Sequence, residues 1–122
     1  MRVKLWFSGN PIPKGRPRWS GGVIHTPHAT SEWEETVGWQ CTDQWKRRPL
    51  LGPLGIDFTF YREDRRKVDL DNLEKAMLDA LESILYENDS QIKEKSGRLE
   101  YSEDHPGVVV EIWTLEGLKE EV

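Results

Sequence analysis

Residues 71–85 constrain the fold more than any other stretch. Leu73, Ala76, Met77, Ala80, Leu81, Ile84 and Leu85 recur at the i, i+3, i+4 spacing of a helix with one apolar face, while Asp71, Lys75, Asp79 and Glu82 fall on the other. A stripe that wide must be covered by a core. Val3 to Phe7 reads as a strand, and so does Leu54 to Tyr61, with Ile56, Phe58 and Phe60 on one face. Gln91 to about Tyr101 and Val108 to Thr114 are two more, and the segment Ser102 to Gly107 suits a turn between antiparallel neighbours. Ser20-Gly21-Gly22 would turn a short hairpin that returns through Val23 to Thr26. A first helix is expected from Thr30 or Ser31 to about Arg48, with a capping box formed by Ser31 and Glu34. Its apolar stripe is Trp33, Val37, Cys41 and Trp45, and Pro49 stops it. Trp6 and Trp113 are expected in the core; Trp39 falls off the stripe. The order is roughly β, β-hairpin, α, β, α, β, β. This is an α/β (α+β) class chain, a mixed sheet with two main helices packed on it, spanning residues 1–115 and followed by an acidic tail at 116–122.

A chain of 122 residues is one domain by length. Its net charge of -5 argues against a nucleic-acid partner until the distribution is considered. Residues 100–122 hold seven acids and one base, which leaves residues 1–99 at +1. Residues 1–18 hold Arg2, Lys4, Lys14, Arg16 and Arg18 and no acid; Lys46-Arg47-Arg48 and Arg65-Arg66-Lys67 are further basic clusters. Such a chain can present a phosphate-binding face, although clustered bases also serve simply as solvated surface. Cys41 stands alone, so neither an internal disulfide nor a zinc cluster is available, and a reducing cytoplasm is the expected compartment. His25, His28 and His105 lack metal-ligand spacing. No membrane span, signal peptide or small-molecule cofactor is expected.

The segment Val68-Asp69-Leu70-Asp71-Asn72-Leu73-Glu74-Lys75, with Asn88-Asp89-Ser90-Gln91 further on, carries the candidate chemistry. In a purely structural reading, Asp71 caps the helix and pairs with Lys75 one turn later. In the chemical reading, Asp69 and Asp71 both point into one pocket at a strand-to-helix junction and repel each other unless a cation lies between them. Hard carboxylate oxygens suit Mg²⁺, or Mn²⁺, completed by water and substrate phosphate. Asp89 joins them if it leads a strand beside the one that ends near Asp69. Three carboxylates and a lysine around a cation are what phosphodiester hydrolysis needs. Lys14, Arg16 and Arg18, spaced by two in a Pro/Gly-rich segment, and Arg65, Arg66 and Lys67, which lead into Asp69, are the candidate DNA-binding residues. Trp19, near the hairpin tip, reads first as a packed hairpin aromatic and second as a residue to stack on an unpaired base.

The same stretch, Asp69-Leu70-Asp71-Asn72 through Lys75, Asp79 and Leu81 to Asp89-Ser90-Gln91-Ile92, resembles the D-x-D-N-x-x-K-x-x-x-D-x-L … D-D-x-Q-[IV] signature of RusA-type endonucleases. These are Holliday junction resolvases common in phages and prophages. The opening from Gly9 to Arg18 is similar to the family's Pro-x-x-Lys-x-Arg-x-Arg segment, and Thr26-Pro27 is similar to the residues next after that segment. The resemblance runs from about residue 5 to 113. It implies a homodimer that binds four-way DNA and cuts two opposed strands with Mg²⁺, in a bacterial or phage-infected cell. It further implies that Asp69, Asp71 and Asp89 are the metal-binding catalytic acids, that Lys75 is the catalytic lysine, and that Asp79 stands behind them. Asn88 replaces the usual first Asp of the second motif, so one charge is lost beside the metal. Two alternatives are a non-catalytic module for structured nucleic acid and a broader flap or branched-DNA nuclease. A third, a small Ca²⁺-binding protein, is disfavoured by the lack of a Gly-bearing D-x-D-x-D-G loop.

Overall fold

A computed structural model describes residues 1–16, 18–25 and 27–115, without the side chains of residues 18–20 and 23–25. The tail expected at 116–122 lies outside the described residues. In chain order the elements are β1 (Arg2–Ser8), β2 (Arg18–Ser20), β3 (Val23–His25), α1 (His28–Gln44), β4 (Leu54–Arg62), α2 (Leu70–Leu81), β5 (Ile92–Tyr101) and β6 (Gly107–Thr114). A 3₁₀ turn, Asp89–Gln91, leads into β5. The expected order holds, as does the α+β class. No helix among the described residues is long and apolar enough to cross a membrane.

The main sheet runs β1-β6-β4-β5, and β2-β3 form a separate hairpin. Alternation along the strands builds the core from three facing rows. Leu5 and Phe7 of β1 lie beside Val110 and Val108 of β6, which in turn face Phe58 and Phe60 of β4; Ile112 faces Ile56. Trp33, Val37 and Cys41 of α1, Trp45 just past its end at Gln44 (short of the expected Arg48), and Leu73, Ala76, Met77, Ala80 and Leu81 of α2 complete the cluster. The two apolar stripes therefore cover one side of one sheet.

Four local readings need correction. The segment at 102–107 does turn the chain, but β5 and β6 are not neighbours; β4 lies between them, and Ser102 N donates to Arg62 O at 2.8 Å. The start of α1 is His28 after Pro27, with no side-chain cap: Thr30 instead donates to Pro13 O and accepts from Gly15 N, and Glu34 turns to Lys14. Trp6 and Trp113 stand on the outer face of the sheet, Trp6 tilted against Tyr61 and Trp113 beneath the Arg2 guanidinium. Finally, α2 ends at Leu81 rather than Leu85, because Glu82 is extended and Ser83 turns to a φ of 75°. Leu85 and Tyr86 remain fully buried beyond that turn, so the apolar stripe is real although the helix is shorter.

The parallel pairing of β4 with β5 matters most for the site. Antiparallel strands can be joined by a tight turn, but parallel ones need a crossover, and α2 provides it. Its first turn therefore lies at the carboxyl end of β4, and its last turn at the end where β4 and β5 begin.

Candidate metal and nucleic-acid site

Asp69 is the N-cap of α2, a role the structural reading gave to Asp71. Its Oδ1 accepts from Asp71 N at 2.9 Å, satisfying one of the amides that a helix start leaves without a partner. Asp71 lies in the first turn and is exposed. Its carboxylate makes no ion pair or hydrogen bond with the described residues, and the expected pair with Lys75 is not formed. Lys75, one turn on, is also exposed, and its ammonium has no ion pair among the described residues. Two carboxylates one residue apart at the positive end of a helix, with an exposed ammonium beside them, form a hard-oxygen donor set that suits a divalent cation and a phosphate.

Asp89 is held elsewhere. It opens the 3₁₀ turn before β5, and its backbone N donates to Glu82 Oε2 at 3.3 Å, at the far end of α2. The buried Tyr86 hydroxyl donates to Leu78 O at 2.6 Å. Burial pushes the pKa of that phenol upward, and the nearby charges of Glu82, Asp89 and Asp79 push it the same way. Twelve residues of helix at about 1.5 Å each put roughly 18 Å of α2 between the two acidic ends. Among the described residues, no group of three or more His, Cys, Asp or Glu could hold a metal ion. The expectation that one chain gathers Asp69, Asp71 and Asp89 into a single cavity is thus corrected. Asp89 does lead the strand beside the one that ends near Asp69, but parallel pairing puts it at that neighbour's beginning.

The Asp89 turn is firmly built. Gln91 Oε1 accepts from the backbone N of Glu87 and Asn88, both at 2.9 Å, and its Nε2 donates to Leu50 O at 2.9 Å and Gly52 O at 3.0 Å. Asn88 caps the turn, its Oδ1 accepting from Ser90 N at 2.9 Å. Asp and Asn cap equally well, so Asn88 keeps the geometry although it lacks a charge. The Gln91 clamp was not read from the sequence. The only sign of it was the recurrence of Gln at that place in the motif.

The basic residues divide. Lys14 does not reach outward: its ammonium lies 2.8 Å from Glu34 and 3.0 Å from Asp79, and its backbone N donates to Asn72 O. Burial alone would lower the Lys14 pKa, but hydrogen bonds and charge from Glu34 and Asp79 outweigh it and the net shift is upward. Asp79 therefore fastens the N-terminal segment to α2. Arg16 is exposed and makes no ion pair among the described residues. The side chains of Arg18 and Trp19 lie outside the described residues. In the loop before α2, Arg65 lies 4.5 Å over the Tyr101 ring, Arg66 is 3.6 Å from Asp64, and Lys67 is exposed with no ion pair among the described residues. Arg16 and Arg65 to Lys67 thus remain on the surface, whereas Lys14 is structural. Sequence reading also missed Glu74, buried on α2, which pairs with Lys95 at 3.3 Å and lies over Gly97, where any Cβ would meet its carboxylate.

Comparison with known proteins agrees with the motif. The model of the family described as endodeoxyribonuclease RusA matches residues 8–113. A crossover junction endodeoxyribonuclease RusA from Aquifex aeolicus (strain VF5) is 29% identical over 115 residues, covering 90% of each chain. YqaN of Bacillus subtilis (strain 168), an uncharacterized protein, is 27% identical over 127 residues, covering 84% of this chain and 89% of its own. The match takes in β1's end, both helices, the two acidic segments and most of β6, so the chain belongs to the RusA family of endodeoxyribonucleases, enzymes that hydrolyse the phosphodiester bonds of DNA.

Proposed function

We propose that this protein resolves four-way DNA junctions by paired, symmetric, Mg²⁺-dependent nicks, acting as a homodimer in the cytoplasm of a bacterial or phage-infected cell. The observation that carries the reading is the pair of exposed carboxylates, Asp69 and Asp71, at the positive end of α2, with the exposed Lys75 beside them and the basic loop 65–67 leading in. Asp69 and Asp71 would hold the cation. When bound, a divalent ion supplies Lewis-acid activation of water and screens the charge that develops on phosphate. Lys75 orients and neutralises the scissile phosphate, and the loop bases hold the strand on either side.

Asp89 enters through the dimer. Two equivalent nicks need two equivalent sites about a two-fold axis, and such an axis can set the start of β5 in one copy against the start of α2 in the other. In this arrangement each cation is held by Asp69 and Asp71 of one subunit and by the partner's Asp89. The separation of the two acidic ends within one chain supports sharing of this kind. The test is a gel comparing labelled four-way junction, flap and linear duplex, with Mg²⁺, with Mn²⁺ and with chelator. Metal-dependent cutting of the junction at paired positions, well above the other substrates, is expected. Equal cutting of all three would favour the broader nuclease, and metal-independent binding without nicking would favour a non-catalytic module.

A further inference from the structure

At the carboxyl ends of β4 and β5 a cavity of about 410 Å³ opens, walled by Arg62, Asp64, Arg65, Arg66, Leu99 and Tyr101. Arg62 is only 8% exposed. Its Nη1 donates to Pro11 O, its Nε is buried without a partner, and no carboxylate among the described residues pairs with it. A buried guanidinium without a counter-ion is costly, so this wall calls for an anion. The acids nearby do not supply one. Asp64 is engaged by Arg66, through the backbone N at 3.0 Å and the side chain at 3.6 Å. Glu100 also lines the cavity, but strand alternation places it with Arg98, whose charge it stabilises.

The other wall is apolar. Leu99 and Tyr101 are 43% and 41% exposed although their register with Phe60 and Arg62 places them on the core side of the sheet. Arg65 lies over the Tyr101 ring. Contact with the outside of a duplex needs surface charge but no aromatic wall. An anion-demanding guanidinium set beside an open aromatic and a leucine instead matches the two halves of a single nucleotide, phosphate and base. The volume falls in the range of small-ligand pockets.

The geometry points to a pocket for one unpaired nucleotide of the DNA substrate, its phosphate on Arg62 and Arg65 and its base against Leu99 and Tyr101. A base stacking on Tyr101 replaces Arg65 there and frees that guanidinium for phosphate. A paired, stacked base cannot enter, so the pocket favours branch points over intact duplex. This rests on the nuclease reading and specifies it: the loop that walls the pocket runs straight into Asp69, so a strand anchored here is delivered to the acids.

The experiment is photocross-linking in metal-free buffer, with 5-iododeoxyuridine placed singly at each position around the branch of a four-way junction and the product mapped by mass spectrometry. Cross-links to Tyr101 from one position per strand beside the branch are expected. With exposed residues altered, Tyr101→Ala and Leu99→Ala should fold normally and raise KM for the junction roughly ten-fold, while Tyr101→Trp restores it. Cross-links spread evenly along the arms, or an unchanged KM in both alanine variants, would overturn the pocket. In that event metal-dependent junction cutting by the unaltered protein would still stand. Tyr101 cross-links from a protein that does not cut the junction would keep the pocket and remove the proposed junction-resolving activity.

Discussion

At the scale of single residues, charge and backbone hydrogen bonding have separate owners. Asp69 caps α2 with one oxygen, whereas the Asp71 carboxylate has no partner among the described residues. Asp71→Asn is therefore expected to leave the fold intact and to lower junction cleavage by roughly a hundred-fold or more. Binding should persist or tighten because a charge that repels phosphate is gone; gel-shift and nicking assays on the same preparation check this. Lys14 is the opposite case. Its raised pKa means that it stabilises the fold fully below about 10.5, the unfolded value, and that this contribution disappears as pH rises through the folded pKa. Lys14→Met leaves Glu34 and Asp79 facing each other and should cost about 1–2 kcal/mol at neutral pH. Urea melts across pH should show the variant losing less stability than the parent protein above pH 10.5. The motif picks out Asp69, Asp71 and Lys75 together because they lie within two helical turns of sequence. The partners of Lys14 were not legible, because Glu34 and Asp79 sit on two helices that meet only in the folded chain.

At the scale of elements, periodicity predicted where strands and helices lie but not which strands pair. The β4 stripe of Ile56, Phe58 and Phe60 and the stripe of Trp33, Val37, Cys41 and Trp45 are core in the structure as in the sequence, although Trp45 lies just past the end of α1. By contrast, a short turn before β6 suggested a hairpin, whereas β4 separates β5 from β6. That difference decides the site, since parallel β4 and β5 send Asp89 to the opposite end of α2 from Asp69. The 3₁₀ turn that holds Asp89 depends on Gln91 and its four hydrogen bonds to the backbone of two loops. Gln91→Ala should lower stability by roughly 2–3 kcal/mol and reduce cleavage through a misplaced Asp89. Gln91→Glu keeps the shape but loses the two donated bonds, and should fall between. Chemical denaturation alongside single-turnover nicking tests both.

For the whole molecule, the central claim is that a working site needs two copies. If each cation is held by Asp69 and Asp71 of one subunit and Asp89 of the other, a dimer pairing an Asp71→Asn chain with an Asp89→Asn chain has one site with both losses and one site with none. Sites contained within a chain would each carry one loss. The decisive measurement is nicking of a four-way junction in Mg²⁺ by the two inactive variants, each alone and after being unfolded and refolded together. Sharing of the site between subunits predicts that each alone is inactive and that the mixture nicks one strand per junction, approaching half the parent rate per heterodimer. A mixture as inactive as its components, with heterodimers shown to have formed, would contradict it.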